Sequence, residues 1–159
     1  MRHDYLAQAK LMPKLETWVA LGSLGMCIMF IALVLSFFNF LVGPKGKGPD
    51  VYVDPTEVMI QLISISGAPS LILAGTVFGL TKSYGTIHAA IILITTGIIV
   101  IVGMIAAWTL LLKINEQFVG GGIDIISYIF IVAGIGIAIL GIYLFKKSKN
   151  YQKLEDEIH

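Results

Sequence analysis

The sequence has 159 residues, of which 57% are hydrophobic and only 13% charged, with a mean hydropathy of +0.88. A soluble domain carries about 25% charged residues, so composition places the chain in the membrane class. A formal net charge of +1 gives no basis for nucleic-acid binding, and a lone cysteine, Cys27, excludes an intrachain disulfide.

Four stretches are apolar and long enough to cross a bilayer: Trp18–Val42, Thr56–Leu80, Ile87–Leu112 and Ile123–Phe145. A helix rises about 1.5 Å per residue, so roughly 20 apolar residues span a hydrocarbon core of about 30 Å. The predicted fold class is an all-α membrane protein, a single domain over residues 1–159. Its four transmembrane helices form an up-down bundle, and residues 146–159 form a tail. Before the first span, Tyr5, Leu6, Ala9, Met12 and Leu15 lie near one face at helical spacing, which predicts a short N-terminal interfacial helix; Pro13 either breaks it or opens the next helix.

The first span is far longer than the roughly 7–15 residues of a signal-peptide core, and no small-residue cleavage site follows it. We read it as a retained helix. Trp18 anchors it at the interface, and Ala20, Gly22, Ser23 and Gly25 let another helix approach. Cys27 lies within the apolar run and reads as a small buried hydrophobe, because lipid disfavours the thiolate. The glycine- and proline-rich loop that follows ends in Asp54-Pro55-Thr56-Glu57, a helix start: Asp caps, Pro suits the first helical position, and Glu can reach back to the cap.

The second span is the least uniform. Ser64, Ser66, Gly67, Pro69 and Ser70 fall near its middle. Pro69 has no N–H to offer the carbonyl of Ile65, which predicts a kink. That kink is either a packing device, the reading we favour, or the wall of a small polar pocket or hinge. Gly75 and Gly79 form a G-x-x-x-G, a helix-packing motif. A tight loop over residues 81–86 predicts an antiparallel hairpin of spans two and three. His88, just inside span three, is no metal site alone, since such sites take about three or more protein ligands.

Span three ends near Trp108, the second interfacial anchor, and the unbroken KINEQF run predicts a helix continuing to Phe118. Gly120-Gly121-Gly122 lacks the Lys-Ser/Thr of a phosphate loop and reads as a flexible turn, with Asp124 as the cap of span four. Gly134 and Ala138, four apart, are a second small-residue packing pair. Lys146, Lys147 and Lys149 lie at the membrane edge, ahead of a charge-mixed and solvated end.

Both termini share a side with the loop after span two. That side holds Arg2, Lys10, Lys14, Lys82, Lys146, Lys147, Lys149 and Lys153, against Lys45, Lys47 and Lys113 opposite. The positive-inside rule predicts a multi-pass plasma-membrane protein with both termini cytoplasmic.

No Asp, Glu, Lys, Arg or His lies well inside any span. Proton relays and voltage sensors keep such residues at depth, so this chain carries neither by itself. Met26, Met29, Met59 and Met104 are scattered as fillers of an aliphatic core. The sequence offers no catalytic, cofactor-binding or metal residues, and we expect no cofactor and no enzymatic activity of its own. The leading expectation is an accessory, structural subunit of a larger membrane complex. Its partners would be other membrane subunits and lipids, with no nucleic acid. Bioenergetic complexes, such as a respiratory oxidase or an ammonia- or methane-monooxygenase, are the expected host class. The alternative is a small self-associating transporter or channel that uses the Pro69-kinked helix. A third reading is a membrane scaffold acting through its basic tail, since lysine clusters attract anionic lipid.

Overall fold

The computed structural model describes residues 15–44, 47–82, 86–114, 119 and 122–158. The predicted interfacial helix, apart from Leu15 and Glu16, lies outside the described residues. Among these, every regular element is helical. Helix α1 covers Leu15–Val42, α2 covers Pro55–Thr81, α3 covers Ile87–Leu111 and α4 covers Ile123–Ile158. All four are long and apolar enough to cross a membrane.

The boundaries follow local chemistry. Asp54 has extended dihedrals and accepts a 2.9 Å hydrogen bond from the Thr56 N–H, so it caps α2 with Pro55 in the first turn. Gly43 ends α1 at φ 62° and Gly122 precedes α4 at φ 86°, backbone shapes that only glycine takes without strain.

Two ends differ from expectation. Helix α3 stops at Leu111 instead of continuing to Phe118. The Lys113 and Ile114 N–H groups bond the carbonyls of Leu110 and Leu111 three residues back, and this tightened turn returns the Ile114 side chain to the core at 7% exposure. Residues 115–118, 120 and 121 lie outside the described residues. At the other end α4 does not stop at Phe145. It continues through the lysines to Ile158, because nothing in KKSKNYQKLEDEI breaks a helix. Asp124 is the second residue of α4.

Helix α1 packs against both α2 and α3, α3 packs most extensively against α4, and α4 closes lightly on α2. Although a short loop joins them, α2 and α3 barely touch and stand on a diagonal of the bundle. The core has two halves. Towards the loop after α1 it is built from large side chains, including Phe30, Phe38, Met59, Met104 and Phe130. Towards the opposite end Ala20, Ala74, Ala89 and Ala90 line it together with Leu93, Ile137 and Leu144.

Candidate functional site

Helix α2 departs from α-geometry at Ile63–Gly67, a π turn in which the Ala68 N–H bonds the Ile63 carbonyl. The α-helix then restarts at Ala68, which puts Pro69 in a first turn, where a missing N–H costs little. The irregularity predicted from Pro69 therefore lies one turn ahead of it. Loosened carbonyls in such a turn need partners. The hydroxyls of Ser64 and Ser66 donate to the carbonyls of Ile60 and Leu62, at 2.8 and 3.0 Å.

The inner side of the turn is a socket. A Cβ on Gly67 would sit 3.0 Å from ring atoms of both Phe30 and Phe130. Those rings, from α1 and α4, lie 4.5 Å apart at 35° and bridge the second diagonal of the bundle. One turn further along, Ser23 of α1 and Ser70 of α2 exchange bonds: each hydroxyl donates to the other's backbone carbonyl, at 2.9 and 3.1 Å. The serine-rich break thus closes on itself, with Ser66 and Ser70 buried and bonded. Beside it, Ile63, Ala68 and Leu71 face Ile126, Ile129 and Phe130 across an apolar crevice of about 300 Å³.

The two small-residue pairs are placed oppositely. Gly134 and Ala138 meet α3: a Cβ on Gly97 would stand 2.7 Å from the Ala138 nitrogen and 2.8 Å from the Gly134 oxygen. Gly141 meets Ile94 and Ala90 in the same way. Gly75 and Gly79 point away from the rest of the chain, with nothing within 4 Å of a Cβ at either. They share the outward face of α2 with Gln61, Ser64 and Thr76, while the outward face of α4 is mostly isoleucine and valine. This outward placement could not be read from spacing, because α2 is apolar on nearly every face.

The anchors sit at opposite ends. Trp18 is 59% exposed near the start of α1. Trp108 is half-buried against Tyr128, with ring centroids 4.8 Å apart. Cys27 is buried, and its Sγ lies 3.8 Å from the Thr96 carbonyl across the α1–α3 seam. Met59 and Met104 are fully buried among apolar side chains. His88 is exposed, and no three His, Cys, Asp or Glu residues cluster among the described residues. The Ser127 hydroxyl is buried on α4 without a hydrogen-bond partner. Comparison of the chain with protein-family models, curated proteins and solved structures gives no match.

Proposed function

We propose that this chain is a non-catalytic accessory subunit of a larger integral membrane complex, with the outward face of α2 seated against another subunit. The observation that carries the reading is the open pair Gly75 and Gly79, which no helix of this chain covers. Without a hydrophobic drive between helices in lipid, association depends on close packing and hydrogen bonds. Glycines on a surface admit a partner backbone, and on the same face Gln61 offers an amide, while the hydroxyls of Ser64 and Thr76 donate to their own helix and keep oxygens that can accept. The absence of ionisable side chains from the middle of the spans suits a subunit that shapes a complex while others hold its chemistry. A bioenergetic host remains the proposed class.

The test is extraction of native membranes in mild detergent, followed by native-gel separation and mass spectrometry of the band containing this chain. Stoichiometric migration with larger subunits supports the reading. Migration alone, or only with itself, overturns it and favours the self-associating transporter, since the same open face would then serve a second copy.

We further propose that both termini face the cytoplasm of a plasma-membrane protein, from the excess of lysine and arginine at that end. In a Cys27→Ser background, Tyr52→Cys should react with an impermeant maleimide on intact cells and Lys149→Cys only after lysis. The reverse pattern refutes this orientation.

A further inference from the structure

We propose that the basic end of the α2–α4 pair binds the headgroup of an anionic phospholipid. The inference is independent of the accessory-subunit reading and rests on one stripe of α4. Tyr128, Val132, Ile135, Ile139, Ile142, Lys146, Lys149 and Lys153 follow one another at steps of three or four residues, and all are exposed. Such steps keep side chains on one helix face. The stripe is aliphatic from Val132 to Ile142 and cationic from Lys146 to Lys153. Tyr128 and Lys146 are separated by about 27 Å at 1.5 Å per residue, close to the hydrocarbon thickness of a bilayer. The stripe therefore spans the hydrocarbon of both leaflets, and its half nearer the lysines, from Ile135 to Lys146, matches one phospholipid in outline, an acyl chain along the isoleucines and a phosphate at the lysines.

Helix α2 completes the basic end. The ammonium of Lys147 donates a 2.5 Å hydrogen bond to the Lys82 carbonyl at the C-terminus of α2. One turn deeper, in the same register on both helices, the rings of Phe78 and Tyr143 lie 6.4 Å apart. These two rungs hold the C-terminus of α2, with the exposed Lys82, beside the lysine-bearing segment of α4. Along α4, Glu155, Asp156 and Glu157 follow Lys149 by at least six residues, about 9 Å or more along the axis. Positive charge thus dominates at the depth where lipid phosphates lie, and an anionic headgroup is its complement.

The test is native mass spectrometry of the full chain in detergent, titrated with phosphatidylglycerol or phosphatidylcholine of identical acyl chains. The wild type should prefer phosphatidylglycerol, and the preference should weaken as ionic strength rises. Near an anionic surface each lysine contributes roughly fivefold, so K82Q/K146Q/K149Q should lose more than about tenfold in phosphatidylglycerol affinity and keep its phosphatidylcholine affinity. Lys147 is left intact because it ties the helices together. The control K47Q/K113Q, at the other end, should change neither value. If the triple variant fails to fold, K146Q/K149Q together with the wild-type salt dependence decides the matter. Three results would overturn the proposal: equal binding of both lipids by the wild type, equal loss in the control, or displacement of phosphatidylglycerol by glycerol phosphate at matched concentration, which would indicate a site for free phosphate compounds.

Discussion

The α3–α4 pair and the α2 helix use glycine in opposite ways. Gly97, Gly134 and Gly141 lie where the backbones of α3 and α4 approach, and a side chain at Gly97 or Gly141 would collide with main-chain atoms. Gly75 and Gly79 lie on the surface of α2 and meet nothing. The same residue, at similar helical spacing, serves a contact within the chain in one region and leaves a surface uncovered in the other. The first region packs these three glycines internally, and its outward face is mostly isoleucine and valine, with Gly136 of α4 also open. The second leaves its pair open, and it is the surface on which the accessory-subunit proposal rests.

The sharpest way to break this contrast is to add one methyl group in each region. Gly97→Ala forces the Ala138 nitrogen, 2.7 Å from the new Cβ, to move with its helix. Overpacking against an unyielding backbone should cost about 3 kcal/mol, read as a lower unfolding midpoint in a detergent denaturation series. Gly75→Ala and Gly79→Ala should each change the same midpoint by less than about 0.5 kcal/mol. Equal losses in both regions would remove the distinction.

Gly67 lies between these extremes, because its neighbours are ring edges and not backbone. Gly67→Ala should cost about 1–2 kcal/mol, as Phe30 and Phe130 shift by a few tenths of an ångström. Ser23→Ala removes one bond of the reciprocal pair and should cost about 1 kcal/mol, the usual scale for a hydroxyl bond between membrane helices. Ser127→Ala has the smallest expected effect and the opposite sign. It deletes a buried hydroxyl that no partner satisfies, so stability should rise by up to about 1 kcal/mol. A loss on Ser127→Ala would show that the hydroxyl has a partner after all.

The four helices were legible because each is a long apolar run closed by glycine, proline or charge, and a bilayer sets the length needed. The Asp54 cap was legible because its chemistry is local. The π turn was not: Ser64, Ser66, Gly67, Pro69 and Ser70 mark the region, but residue types alone do not show that one turn holds an extra residue. Nor could the sequence separate the inward glycines from the outward ones. The helices carry almost no amphipathic asymmetry, so Gly134 and Gly75 look alike until their neighbours are known. The continuation of α4 past Phe145 is not legible in hydropathy, which marks where lipid ends, and a helix need not end there. The end of α3 at Leu111 depends on Ile114 finding the core, which is a tertiary fact.

The most direct test of the account compares the wild type with Gly75→Leu/Gly79→Leu in the native membrane. Both proteins are extracted in mild detergent, checked for equal helicity and melting behaviour, and separated on a native gel. The account predicts that the wild type migrates with larger subunits, while the double variant, equally folded, is released from them. Retention of the double variant in the same complex would contradict the proposed role of the α2 face, and migration of the wild type by itself would contradict the accessory function.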